Sequence, residues 1–327
     1  MKLAVLGAGA WGTALAIPLT GRHEIVLWGR NAAAMTELQA TRRNAQYLPG
    51  HALPPRLALT ARLEEALAEA ELAIVAVPVS GLRETLQQLH HRRPGLPLLW
   101  ACKGFETGSG FLPHQIVAET LSPATHCGAL SGPSFAEEVA AGLPAAITLA
   151  SLNPDFARDS ARALHGHRLR LYSSTDLVGV ELAGALKNVI AIAAGLSDGL
   201  GLGHNARAAL ITRGLAEIAR LGVAMGGRTE TFMGLSGLGD LVLTCTGLLS
   251  RNYRVGLGLA QGTPLPDIMQ QLGHVAEGVT SAEAAVQLAR HHQVEMPIAD
   301  AVRQVLAGVL GVHQAVDLLL AREPRTE

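Results

Sequence analysis

The sequence predicts an α/β protein: a doubly wound, mostly parallel sheet over residues 1–173, followed by an all-helical domain over residues 174–327. Short apolar runs alternate with helix-like stretches up to about residue 150, and strands alternating with helices through short loops build a parallel sheet. After about Ser173 apolar residues recur at helical spacing and strand-like runs disappear. Aromatic residues are only 3% of the chain, and the aliphatic and glycine-rich remainder suits a helix-covered sheet better than a β-sandwich.

The first strand is Lys2-Leu3-Ala4-Val5-Leu6, and Gly7-Ala8-Gly9-Ala10-Trp11-Gly12 follows it at once. A helix-compatible run then leads to a second apolar strand, Glu24-Ile25-Val26-Leu27-Trp28. Strand, glycine turn, helix and strand in this order form the first half of a Rossmann-like dinucleotide-binding unit. Gly7 permits the tight turn, Gly9 lets a pyrophosphate approach the backbone, and Gly12 lets the helix sit close to the strand. The phosphates would meet free backbone N–H groups and the positive end of the helix dipole. Gly7, Gly9, Ala10, Trp11 and Gly12 are therefore cofactor-binding candidates. An NAD-preferring site usually ends the second strand with an acid, whereas this chain has Trp28-Gly29-Arg30-Asn31. A guanidinium there favours the extra phosphate of NADP(H), with NAD(H) as the second choice.

Residues 42–55 read as a loop rich in Pro, Gly and basic residues. Residues 63–70, 82–90 and 114–121 read as helices, and residues 72–77, 97–101, 127–130 and 145–149 as strands. Leu169-Arg170-Leu171 is a further strand candidate. Pro78, Lys103 and Gly132 each follow a strand, at the carboxyl edge where such sheets bind ligands. In the second domain the helices expected are 176–195, 206–221, 252–261, 266–272, 281–291 and 298–306, with an irregular glycine-rich segment at 234–247. Residues 322–327 are expected to fray.

Composition excludes several classes. A formal net charge of −1 gives no overall field for nucleic acid or an anionic membrane. No apolar run is expected to reach the roughly 18 to 20 residues that span a bilayer; residues 182–196 come nearest, interrupted by Lys187 and Asn188. An N-terminus that enters a strand directly leaves no room for a secretory signal. Cys102, Cys127 and Cys245 are odd in number and far apart, so neither a disulfide framework nor zinc is expected. A reducing cytoplasm is the default. The histidines lack metal-ligand spacing, and there is no G-x-S-x-G nucleophile elbow.

Lys187 is the most informative single residue. Its helix is apolar almost all round, hence buried, and a buried ammonium needs a partner. No carboxylate lies three or four residues away, so the partner must come from elsewhere. Asp240, an acid in a glycine-flanked apolar setting, is a plausible one. Desolvation and nearby positive charge would lower the lysine's pKa towards the range useful for proton transfer. Lys103 stands at a strand end before a glycine. Gly132-Pro133-Ser134-Phe135-Ala136 offers backbone N–H groups and a hydroxyl to a ligand. In Ser250-Arg251-Asn252 a Ser or Asn cap, a guanidinium and a helix dipole converge, which suits a phosphate.

Taken together these residues resemble the bacterial-type NAD(P)-dependent glycerol-3-phosphate dehydrogenases. The resemblance runs from the glycine turn through Asn44-Ala45-Gln46-Tyr47-Leu48-Pro49-Gly50, Cys102-Lys103-Gly104-Phe105-Glu106 and Ser131-Gly132-Pro133-Ser134-Phe135-Ala136. It continues through Glu181-Leu182-Ala183-Gly184-Ala185-Leu186-Lys187-Asn188, the glycine-bounded run 203–214, Gly239-Asp240-Leu241, Ser250-Arg251-Asn252 and Glu277-Gly278. It implies that Lys187 moves the proton in ketone reduction and alcohol oxidation. It further implies that Lys103, Gly132, Ser134, Lys187, Asp240, Ser250, Arg251 and Asn252 hold dihydroxyacetone phosphate or glycerol 3-phosphate. Trp11, Arg30, Lys103, Ala136, Arg251, Val275 and Glu277 would touch the nicotinamide cofactor. A cytoplasmic homodimer that supplies glycerol 3-phosphate for phospholipid synthesis is the family expectation. The alternatives are a keto-acid reductase, such as a ketopantoate reductase, and a non-catalytic NADP(H) sensor; a buried proton donor argues against the sensor.

Overall fold

The structure, a computed structural model, describes residues 1–273 and 275–321. The terminus expected to fray, residues 322–327, lies outside the described residues. Among the described residues two compact units are present: residues 1–106 with 111–177, and residues 107–110 with those from 178 onwards.

The first unit is built on eight strands: β1 (Lys2–Leu6), β2 (Glu24–Trp28), β3 (Ala58–Thr60), β4 (Leu72–Val75), β5 (Leu98–Trp100), β6 (Cys127–Ser131), β7 (Ala145–Ala150) and β8 (Leu169–Ser174). Their order is β3-β2-β1-β4-β5-β6-β7-β8. All neighbours run parallel except β6 and β7, which pair antiparallel. The central strands are near-continuous aliphatic runs because helices cover both faces. Leu3, Val5, Ile74, Leu99, Ile147 and Leu149 are all buried in one cluster. Each such side chain contributes on the order of 1.5–3 kcal/mol by leaving water.

Several elements differ from the sequence expectation. β4 stops at Val75, two residues early. The strand β3 and the helix Ala32–Thr41 fall in stretches given no element by the sequence. Leu169-Arg170-Leu171 begins a six-residue strand in full register with β7.

The helical unit is organised around the helix Leu177–Gly199. This helix is long and apolar enough to cross a membrane, contrary to the sequence expectation: its best 18-residue window has mean hydropathy 1.7. Lys187 and Asn188 do not break that window because the aliphatic residues around them outweigh two polar positions. The fold buries 94% of it, so the helix is the core rod of this unit. The segment 234–247, expected to be irregular, is a π-helical turn (Leu235–Gly239) running directly into the helix Asp240–Thr246. The Gly239 N–H donates to the Gly234 carbonyl five residues back, at 3.1 Å. Helices Thr229–Met233 and Val312–Leu320 were also not expected from the sequence.

Candidate active site

In the first unit the chemistry-bearing loops leave the carboxyl ends of parallel strands. Gly7 follows β1, Pro78 comes after β4, Lys103 after β5 and Gly132 after β6. Gly7 turns at φ +122°, a left-handed conformation that an L side chain resists, and a Cβ there would lie 2.7 Å from the Ala76 carbonyl oxygen. A Cβ on Gly12 would overlap the Gly7 carbonyl, so the helix Ala10–Leu19 sits directly on the turn. Gly9 is the opposite case: a Cβ there would meet nothing within 4 Å. An open backbone face at a helix N-terminus, with no acid in the first turn, fits a pyrophosphate. The Trp11 indole donates to the Ser134 carbonyl at 3.1 Å, the Ser134 hydroxyl to the Gly132 carbonyl at 3.0 Å, and Lys103 Nζ to that same carbonyl at 3.4 Å. The structure thus brings Trp11, Lys103, Gly132 and Ser134 together. Ala136 opens the helix Ala136–Ala140 just beyond. Arg30 is exposed and pairs loosely with Glu84 at 3.8 Å.

In the helical unit Lys187 is buried, its side chain 9% exposed, and its ammonium is ion-paired with Asp240, itself only 1% exposed. Lys187 Nζ also donates to the Thr244 hydroxyl at 2.9 Å. Asp240 and Thr244 lie one turn apart on Asp240–Thr246, so a single helix face supplies both partners. The carboxylate favours the charged ammonium, which opposes the loss of charge that burial alone would favour. Cys245 stays a spectator, because burial pushes its thiol up to about 12 despite the nearby lysine charge.

The Ser250 hydroxyl accepts from the Tyr253 N–H at 3.2 Å and caps the helix Arg251–Ala260. The cap is therefore Ser250. Asn252 stands inside the first turn, buried, and its Oδ1 accepts from the Gly278 N–H at 2.9 Å. This corrects the alternative in which Asn252 caps: once Ser250 occupies that position, the amide two residues on faces a neighbouring helix. Asn188 donates to Glu277 at 3.2 Å. Glu277 begins the helix Glu277–His291, and Val275 is exposed ahead of it. Arg251 is exposed, and among the described residues its guanidinium makes no hydrogen bond or ion pair.

The sequence reading did not single out Thr244 or give Asn188 a role. Thr244 was findable from its i,i+4 spacing to Asp240, but only once the segment is recognised as helical.

A phosphate-ready glycine turn on a doubly wound sheet, and a helical unit holding a balanced lysine, mark the chain as an NAD(P)-dependent oxidoreductase. Comparison with known proteins sharpens the class. Family models for the N-terminus and C-terminus of NAD-dependent glycerol-3-phosphate dehydrogenase match residues 2–157 and 176–317. The chain is 60% identical over 328 residues to glycerol-3-phosphate dehydrogenase [NAD(P)+] of Thiobacillus denitrificans, and 58% identical over 328 residues to that of Aromatoleum aromaticum. Each alignment covers 100% of both chains. The crystal structure of glycerol-3-phosphate dehydrogenase from Coxiella burnetii superposes with a TM-score of 0.93 at 42% identity, covering 98% of each chain. The chain belongs to the NAD-dependent glycerol-3-phosphate dehydrogenase family.

Proposed function

We propose that the protein interconverts dihydroxyacetone phosphate and sn-glycerol 3-phosphate, with Lys187 as the proton-transferring group. The single observation carrying the reading is the buried Lys187 ammonium, balanced by Asp240 and bonded to Thr244. A packed core has no structural need for such a pair, since a well-packed apolar replacement is often as stable.

Gly7, Gly9, Ala10 and Gly12 would hold the cofactor pyrophosphate, and Trp11, Arg30, Lys103, Ala136, Arg251, Val275 and Glu277 the rest of the nucleotide. The bound cofactor supplies the hydride. On the substrate side, the helix N-terminus capped by Ser250, with Arg251 and Asn252, would take the phosphate and so orient the carbonyl. Lys187 Nζ gives its proton to the alkoxide oxygen that forms in reduction and takes it back in oxidation. Asp240 holds the ammonium in place, and Lys103, with Gly132 and Ser134, lends positive charge and hydrogen bonds to the reacting end. The same reading sends the glycerol 3-phosphate to phospholipid synthesis in the cytoplasm and expects a homodimer.

The test is NADPH consumption followed by absorbance. Dihydroxyacetone phosphate is expected to be reduced far faster than a keto acid such as ketopantoate, and equal rates would overturn the phosphate assignment. Arg30 bears on the choice of cofactor. It is exposed, and its pair with Glu84 is a weak, screened one, so the guanidinium is free to swing onto a 2′-phosphate. NADPH is expected to outperform NADH in kcat/KM, and Arg30→Glu to shrink that ratio by about 10- to 100-fold, the worth of one charge-assisted hydrogen bond. A parent protein that already prefers NADH would rule this out.

A further inference from the structure

The run 203–214 and the residue after Asn252 have no part in the reading above, yet the structure ties them to each other. The Tyr253 hydroxyl donates to Asp198 Oδ2 at 2.6 Å, and Arg207 Nη1 donates to the same oxygen at 2.7 Å. Arg207 Nη2 lies 2.9 Å from His204 Nδ1. Asp198 stands near the end of the helix that carries Lys187, whereas Tyr253 belongs to the first turn of Arg251–Ala260. The phenol is pushed up from its ordinary pKa, first by burial and then by the Asp198 hydrogen bond, so it remains a donor.

Three further contacts fix the same turn. The Tyr253 N–H is the donor that Ser250 accepts. A Cβ on Gly195 would overlap the Tyr253 carbonyl oxygen, and one on Gly256 would overlap the Ile192 carbonyl oxygen. The two helices therefore cross with backbone against backbone. A Cβ on Gly199 would likewise overlap the Ala260 side chain, so the close contact runs on for a further turn. The Tyr253–Asp198 bond, reaching across from one helix to the other, adds a directional polar tie between this turn and the helix that carries Lys187. Arg251 has no side-chain partner among the described residues, so its guanidinium goes where this turn puts it.

We infer that Tyr253 is a positioning residue, anchored by Asp198 and Arg207, that aims the Ser250-Arg251-Asn252 turn at the substrate phosphate. The inference rests on the reading of that turn as the phosphate site.

The experiment compares Tyr253→Phe, Asp198→Ala, Asp198→Asn and Arg251→Gln in steady-state reduction of dihydroxyacetone phosphate at saturating NADPH. Inorganic phosphate serves as a competitive probe. Tyr253→Phe and Asp198→Ala are expected to raise KM about tenfold and the phosphate Ki in step, with kcat within about twofold, as loss of uniform binding requires. Asp198→Asn keeps an acceptor for the phenol and is expected to stay near the parent. A Tyr253→Phe protein with a lowered thermal midpoint but an unchanged KM would overturn the inference, since the bond would then be purely structural. So would a parallel fall in kcat and NADPH affinity, which would mean general loosening. If Arg251→Gln raises KM and Tyr253→Phe does not, only the positioning role fails. If Arg251→Gln also leaves KM unchanged, the phosphate reading fails with it. Tyr253→Phe removes a single oxygen, so it decides the matter even if Asp198→Ala does not fold.

Discussion

Lys187→Ala protein is expected to reduce dihydroxyacetone phosphate with kcat lowered by about 10²–10⁴, the usual contribution of a positioned general acid, while its Kd for NADPH stays within about twofold. The reason is geometric as much as acidic. Lys187 Nζ is held from two sides, by the Asp240 carboxylate and the Thr244 hydroxyl, so it cannot wander, and a solvent proton has no comparable placement. Near-normal kcat in this variant would remove the lysine from the mechanism. The measurement needs one control. Alanine also takes the ammonium away from the Asp240 carboxylate, 1% exposed, so circular dichroism must show that the helical unit is folded at the assay temperature.

The parts of this protein that were legible in its sequence are those where one physical demand overrode all others. β1, β2 and the glycine turn were readable because the turn's three glycines each answer a distinct need: a left-handed backbone at Gly7, an open face at Gly9, and contact with the Gly7 carbonyl at Gly12. Lys187 stood out because its helix is apolar almost all round and offers no carboxylate three or four residues away. Some of what escaped was short or thinly patterned, but the helix Pro154–Leu164 also escaped despite its Asn153 cap and a buried face of Ala157, Ser160, Ala161 and Leu164. β3 has three residues, too few for any period to show. The helix Ala32–Thr41 buries only Met35 and Leu38, so its apolar stripe is thin, although Asn31 does cap it by accepting from the Ala34 N–H at 3.1 Å.

The glycine-rich run before Asp240 misled in a more instructive way. Glycines usually signal a break in a helix, but here Gly237 fits a π turn against the Phe232 backbone, where a Cβ would overlap the Phe232 carbonyl oxygen. The helix then resumes at once. Reading the stretch as irregular hid the i,i+4 relation of Asp240 and Thr244, and with it half of the lysine's surroundings. π turns inside helices often mark functional sites, and this one delivers Asp240 to Lys187.

The second large effect concerns stability, and it separates folding from chemistry. Breaking a buried ion pair by removing one partner costs about 3–5 kcal/mol, because the other charge stays desolvated and loses its compensating charge. Lys187→Met and Asp240→Asn are each expected to show this loss, read as a thermal midpoint lower by roughly 6–20 °C for a unit of this size. The double variant Lys187→Met/Asp240→Asn removes both charges of the pair. Its remaining penalty is an imperfectly bonded amide, about 1–3 kcal/mol, so it should be more stable than either single variant. Strictly additive losses would mean that the two side chains are not coupled and that the pairing does not hold in solution. The double variant also answers the control raised by Lys187→Ala: it regains stability without regaining the lysine, so its kcat should remain as low as that of the single variant. Recovery of turnover along with stability would show that the lysine had been needed to keep the unit folded, and that some other group delivers the proton.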